Sequence, residues 1–131
     1  MTTPLSVITR YFDALESGDF ATVAAQFAED VVWHQPGSNR FSGSHRGADA
    51  VGALIGGMMS VSEGTFSLRR NAPLMLNGDV VAAPVAWTAR RSGASMDGVG
   101  VDVMRVADGK VAEVWLYTAD PASEDAFWGQ A

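Results

Sequence analysis

The sequence contains no cysteine, which excludes disulfide bonds and thiolate metal ligands. Charged residues are also scarce, at 18% of the chain, and acidic residues outnumber basic ones, so the net charge is -6. This negative charge argues against nucleic acid and anionic membrane surfaces as partners. Nor does any apolar run reach the roughly 18 residues that a membrane-spanning helix requires. These absences leave a small globular protein as the expectation.

The composition agrees with one globular domain. Apolar residues make up 47% of a chain of 131 residues, which is an ordinary size and hydrophobicity for a single domain. The first residues contain no basic region followed by an apolar core, so no signal peptide is predicted. We therefore expect residues 1–131 to form one domain of a cytoplasmic protein.

Apolar residues at helical spacing predict three helices in the first half of the chain. Thr3 and Pro4 begin the first helix, and Asp19 caps a short second one. A strand over residues 31–35 and a polar loop over residues 38–47 come next. The third helix then presents an inner face made of Val51, Leu54, Ile55, Met58 and Met59.

The second half of the chain has the pattern of an antiparallel meander. The predicted strands span residues 65–76, 80–90, 95–106 and 110–118. Two-residue turn signals separate these four strands from one another, at Asn77-Gly78, Ser92-Gly93 and Asp108-Gly109. Asp120 and Pro121 begin a short closing helix that runs to Trp128.

The predicted strand over residues 95–106 is apolar on both faces. One face carries Asp102 between glycines and Met104, and the other carries Val99, Val101 and Val103. Three helices cannot cover both sides of such a sheet. The uncovered valine row therefore predicts a homodimer.

These elements resemble the NTF2-like superfamily, in particular its ketosteroid-isomerase and SnoaL-like polyketide-cyclase branches. The resemblance covers nearly the whole chain and is carried by the segments RYFDALESGDF, FAEDVVWHQPG, SGSHRGADAV and VDVMRVADGKVAEVW. It implies an α+β cone, in which three N-terminal helices pack on a strongly curved antiparallel sheet, with a short C-terminal helix and an apolar cavity. This fold hosts isomerases, cyclases, dehydratases, epoxide hydrolases and non-enzymes, so it does not fix the reaction.

Tyr11 and Asp102 are the first catalytic candidates. In isomerase-like sequences, a tyrosine of the first helix and a protonated acid before an apolar-Met/Phe-Arg run hold a substrate oxygen. Tyr11 and Asp102 match these positions. If Asp102 lies in an apolar cavity, its pKa should be raised. The alternatives are a core role for Tyr11 and an ion pair between Asp102 and Arg105 or Arg90.

The sequence leaves the catalytic base open. Isomerases carry an aspartate just before the proline of the first strand, where this chain has Gln35, and glutamine cannot abstract a proton. His34 and Asp120 are the alternative candidates. His34 reaches the cavity only if the strand is bulged at Pro36, because neighbouring strand residues face opposite ways. Asp120 fits a helix cap equally well.

We predict a cofactor-independent, metal-free enzyme that performs proton transfer on a small apolar molecule with a carbonyl group, by isomerisation, cyclisation or dehydration. A non-catalytic, dimeric ligand-binding module of the same fold is the alternative. An epoxide-hydrolase-like variant is a third reading, although Tyr117 stands where the second acid of that enzyme's Asp-Arg-Asp set would fall. The residues expected to line the substrate pocket are Trp33, Gln35, Met58, Trp87, Met104 and Trp115.

Overall fold

A computed structural model describes residues 2–131 of the chain. Helices α1, α2, α3 and α4 span Pro4–Ser17, Phe20–Ala25, Ala48–Val61 and Pro121–Trp128. Strands β1 to β7 span Phe27–Gln35, Gly43–Arg46, Ser67–Arg70, Met75–Asn77, Val80–Arg91, Ala94–Ala107 and Lys110–Thr118. Within the described residues, no helix is long and apolar enough to cross a membrane.

The predicted start of α1 at Thr3 and Pro4 is confirmed. The Thr3 hydroxyl accepts a hydrogen bond from the Ser6 backbone N–H at 3.1 Å, and the Ser6 hydroxyl accepts one from the Thr3 N–H at 2.8 Å. This reciprocal cap satisfies two N–H groups that a helix start leaves without a partner. Gly18 ends the helix with a φ of 77°, a left-handed conformation that glycine adopts without strain. The inner side of α1 buries Val7, Ile8, Tyr11, Phe12 and Ala14.

The strands form one curved, unclosed sheet in the order β2-β1-β7-β6-β5-β3, with β4 also paired to β5. The helices pack on it, and the expected cone is confirmed. One pairing departs from the predicted antiparallel sheet, because β1 and β7 run parallel. Most of the chain lies between these two strands, which is more than a parallel connection needs.

Three strand assignments differ from the sequence prediction by more than one residue. The polar loop contains the edge strand β2, whose exposed side chains give no apolar alternation. The predicted strand over residues 65–76 is divided into β3 and β4, and Pro73 lies in the break because it has no N–H to donate to a ladder. Strand β1 begins at Phe27, and its pairing with β7 is irregular between Phe27 and Val32.

Two glycines of β6 provide room for the buried indole of Trp87. A Cβ atom on Gly98 would lie 2.7 Å from the Trp87 ring. A Cβ atom on Gly100 would overlap the Tyr117 carbonyl oxygen and lie 3.0 Å from the far edge of the same indole. The Trp87 indole therefore lies over both glycines. We call Trp87, Gly98 and Gly100 the floor of the concave side of the sheet.

Candidate active site

The concave side of the sheet and the helices enclose a cavity of about 390 Å³. This volume suits a small molecule. Most of the lining is apolar, and it includes Leu15, Phe20, Ile55, Met58, Phe66, Trp87 and Trp128. The few polar side chains in such a lining decide what the cavity can bind.

Tyr11 and Asp102 both line this cavity, and they are 2% and 5% exposed. Burial, and then the nearby charge of Glu124, raises the pKa of Asp102 to about 7. Burial, reinforced by Asp102, raises the pKa of Tyr11 far above its ordinary value, so the phenol stays protonated. The predicted rise in the pKa of Asp102 is confirmed in direction.

The alternative of an Asp102 ion pair with arginine is not supported. Arg105 lies 3.5 Å from Glu113 instead, on the other face of the strand. The ion pairs of residues 2–131 include none to Asp102. Its carboxyl group therefore faces the cavity without a compensating positive charge.

Glu124 of α4 is a cavity residue that the sequence analysis missed. Burial is the main cause that raises its pKa, and the charges of Asp125 and Asp120 add to it, while the Thr118 hydroxyl opposes the rise. A helical signal could have identified it. Glu124 precedes the buried residues Phe127 and Trp128 by three and four positions, which places all three on one face of the helix.

His34 lies outside the cavity. Its Nε2 atom is 2.7 Å from Glu113 Oε2, and its Nδ1 atom is 2.9 Å from the Ser44 hydroxyl. Its ring stacks on Trp115, with centroids 5.7 Å apart. The pairing of β1 with β2 continues without a bulge to Gln35, so strand alternation keeps His34 on the outer face.

Asp120 is also outside the cavity. Its side chain caps α4 by accepting a hydrogen bond from the Ser123 backbone N–H at 3.1 Å. The residue is exposed, and it is absent from the cavity lining of the described chain. Neither His34 nor Asp120 therefore shares a cavity with Tyr11 and Asp102.

The predicted pocket residues divide into two groups. Trp33, Gln35, Met58 and Trp87 line the cavity. Met104 is fully buried in the core, and Trp115 lies against His34 on the outer face. Neither is part of the lining that the described residues form. Residues 2–131 contain no group of three or more His, Asp or Glu side chains placed to hold a metal ion.

The indole of Trp33 and the amide of Gln35 form a buried hydrogen bond. Trp33 Nε1 donates to Gln35 Oε1 at 2.9 Å. Both side chains belong to the inner face of β1, and they are 5% and 7% exposed. At the position of the isomerase-type aspartate, the cavity therefore has a neutral amide with a fixed partner.

Comparison with known proteins gives a consistent family. Residues 8–114 match the family model described as a SnoaL-like domain. A protein of unknown function with a cystatin-like fold from Xanthomonas campestris is 42% identical, with coverage of 97% of this chain and 98% of that chain and a TM-score of 0.92. An uncharacterised protein of Mycobacterium tuberculosis is 31% identical, with 95% of each chain covered. An NTF2-like protein from Burkholderia xenovorans, 22% identical with 95% of each chain covered and a TM-score of 0.73, shares the fold.

Proposed function

The chain belongs to the SnoaL-like family of the NTF2-like superfamily, and we propose that it is a cofactor-independent enzyme that transfers a proton within a small apolar molecule carrying a carbonyl group. The observation that carries this proposal is Asp102, a buried carboxyl group with a pKa of about 7, beside Tyr11 in an apolar cavity. A buried carboxyl group that keeps its proton near pH 7 can donate a hydrogen bond to the oxyanion that develops when a proton leaves the neighbouring carbon.

The electrostatics of Asp102, Tyr11 and Glu124 suggest the role of each side chain. The charge of the Glu124 carboxylate raises the pKa of Asp102 and so helps to keep the proton on Asp102. Protonated Asp102 and neutral Tyr11 then donate hydrogen bonds to the substrate carbonyl oxygen. The Glu124 carboxylate takes a proton from the carbon beside the carbonyl, the enolate forms on the held oxygen, and the proton returns at the carbon that defines the product. Donors fixed around a developing oxyanion supply much of the rate enhancement in such reactions.

A non-catalytic binding module is the second candidate, because the aspartate of the isomerase pattern is replaced by Gln35. The epoxide-hydrolase-like reading has less support. The cavity lining formed by residues 2–131 contains no arginine to match an Asp-Arg-Asp set, and Tyr117 is 59% exposed.

Deuterium exchange can test proton transfer before the substrate is identified. 2-Tetralone in D₂O exchanges the protons beside its carbonyl, and proton NMR follows the loss of signal. We expect exchange above the buffer rate that declines as the pH rises through about 7, because Asp102 loses its proton there. Glu124→Gln should lower the rate on the order of 10²- to 10⁴-fold, the usual contribution of a positioned base.

Two further variants and two controls make this test specific. Asp102→Asn should keep part of the rate and lose the decline near pH 7, because an amide still donates but does not titrate. Asp102→Leu should abolish the rate. His34→Ala and Asp120→Asn should leave it unchanged, since both side chains lie outside the cavity. Binding of 2-tetralone without exchange above buffer would favour the binding module instead.

A further inference from the structure

The orientation of the Gln35 amide follows from its partner. An indole N–H can only donate a hydrogen bond, so the end of the amide that faces Trp33 must be the oxygen. The NH₂ group is therefore the free end. Among the described residues, none accepts a hydrogen bond from this NH₂ group. The nitrogen is also absent from the fully enclosed side-chain atoms that lack a partner, which are Trp87 Nε1 and Trp128 Nε1. This donor is presented to the cavity that Gln35 lines.

The sheet register places Gln35 in one row with Asp102. Leu116 pairs with Asp102 across β7 and β6. His34 pairs with Trp115 in the parallel ladder of β1 and β7, so one residue further Gln35 lies beside Leu116. With neighbouring strands about 4.8 Å apart, the Cα atoms of Gln35 and Asp102 are separated by roughly 10 Å. All three residues of the row line the cavity.

We propose that Gln35 forms a second oxygen-binding subsite, in which its amide N–H donates to a carbonyl oxygen of the bound molecule, and that Trp33 is the positioning residue that turns the donor towards the ligand. The subsite rests on the proposed function only for the idea that another oxygen is held by Tyr11 and Asp102. The ligand class is then an apolar molecule with two oxygen atoms, of which the one at Gln35 is a carbonyl.

The charges of the cavity favour this ligand class. Asp102 and Glu124 are acids, and a protein carboxylate at position 35 would repel a carbonyl oxygen. A neutral amide avoids this repulsion, and the Trp33 hydrogen bond fixes which end of the amide the ligand meets. A buried donor left without an acceptor costs free energy, so a ligand lacking the second oxygen should be disfavoured.

A matched pair of ligands measures the subsite directly. 6-Hydroxy-1-tetralone and 5,6,7,8-tetrahydro-2-naphthol share a ring system and a hydroxyl group and differ by one carbonyl group. Their dissociation constants, measured by calorimetry at pH 6, give an affinity ratio for each variant. We expect Gln35→Met to reduce the preference for the ketone by about tenfold, as expected for loss of roughly one hydrogen bond.

The variants separate the roles of the two residues. Gln35→Met leaves the buried Trp33 N–H without an acceptor, whereas the double variant Trp33→Phe/Gln35→Met removes both hydrogen-bonding partners. The double variant should show the same tenfold loss of ketone preference without the cost of an unpaired buried N–H. Trp33→Phe alone frees the amide to rotate and should reduce the preference by about twofold, half of the amide orientations being unproductive. In a complex with carbonyl-labelled ketone, the ¹³C resonance should move upfield in all three variants.

Asp102→Asn separates this proposal from the proposed function. The ketone preference should survive in Asp102→Asn, because it depends on Gln35. A loss of preference in Asp102→Asn together with an unchanged ratio in Gln35→Met and in the double variant would overturn the subsite and place the carbonyl at Tyr11 and Asp102. A preserved Gln35 effect in a protein that catalyses no exchange would support the subsite and reject the enzyme.

Discussion

Asp102 and Glu124 are two carboxyl groups of one apolar cavity, but their surroundings differ. Asp102 comes from the middle of a central strand and is 5% exposed, whereas Glu124 comes from a terminal helix and is half-buried. Burial raises the pKa of both carboxyl groups, and the charge of Glu124 further opposes ionisation of Asp102. In the proposed mechanism these different surroundings make Asp102 the hydrogen-bond donor and Glu124 the base.

Asp102 should make the stability of the protein depend on pH. Its pKa is raised from 3.8 to about 7 on folding, so the folded state holds a proton that the unfolded state releases between these values. The free energy of unfolding should therefore fall as the pH rises from about 4 to about 7 and level off above. At about 1.4 kcal/mol per pKa unit, the total is on the order of 4 kcal/mol.

Urea unfolding of the wild type and of Asp102→Asn across pH 4 to 9 measures this effect. The difference between the two should follow the predicted fall, because carboxylates with lowered pKa, such as Glu16 and Glu113, contribute equally to both proteins. Asp120→Asn is the matched control for removing a carboxyl outside the cavity. A wild type that gains stability relative to Asp102→Asn between pH 4 and 7 would contradict a buried, protonated acid.

Sequence reasoning found the side chains that strand periodicity specifies. Trp33, Gln35 and Asp102 lie on inner strand faces, and alternation alone fixes such positions. It did not find Glu124, although the spacing of this residue to Phe127 and Trp128 places it on the buried face of α4, because that face meets the cavity only once the helix docks on the sheet. Asp120, one turn earlier, has the same chemistry but caps the helix. Alternation also excludes His34, although its imidazole is chemically suited to act as a base.

Helix α4 places Glu124 in the cavity because its neighbour Asp125 is anchored to the loop after β1. Asp125 Oδ1 accepts hydrogen bonds from the Ser38 N–H and the Asn39 Nδ2, both at 2.8 Å. Gly37 adopts a φ of 91° beside this carboxylate, and a Cβ atom there would come within 2.5 Å of Asp125 Oδ1. The Pro36-Gly37 segment, which follows the predicted strand over residues 31–35, is thus a docking point for the helix.

Alanine substitutions at Gly98 and Gly100 of β6 test how closely the floor residues are packed. Gly100→Ala should destabilise the protein by about 1 to 3 kcal/mol, because the new methyl group meets the Tyr117 carbonyl oxygen, which belongs to the backbone of the neighbouring strand. Gly98→Ala meets only the Trp87 ring, which can shift towards the cavity. It should cost less stability and reduce ligand affinity instead. Thermal unfolding and 2-tetralone titration distinguish the two variants.

Equal destabilisation by the two alanine substitutions, with unchanged ligand affinity in both, would contradict this account of the floor. Gly93→Ala is not a suitable control, since its φ of 81° adds backbone strain. Gly52→Ala is a better one. A Cβ atom at position 52 of α3 meets no neighbouring atom within 4 Å, so alanine there should be neutral or stabilising.

The cone fold leaves the outer side of its sheet uncovered. Its exposed apolar residues include Val99 of β6 and Tyr117 of β7, which are 49% and 59% exposed, while Val101 and Val103 are half-buried. Val101 pairs directly with Tyr117, so these residues form one continuous patch on adjacent strands. Helices occupy the concave side only, and an apolar patch of this kind is typical of subunit interfaces.

We expect a homodimer built on this patch. Light scattering at micromolar concentration should give about twice the chain mass of 13.8 kDa. Val99→Arg should shift the mass to that of the monomer, because an unpaired charge would be buried at the interface. Leu5→Arg, at a residue of α1 that is 41% exposed, is the matched control and should remain dimeric. A wild type of 13.8 kDa would refute the dimer, and a dimer that tolerates Val99→Arg would place the interface elsewhere.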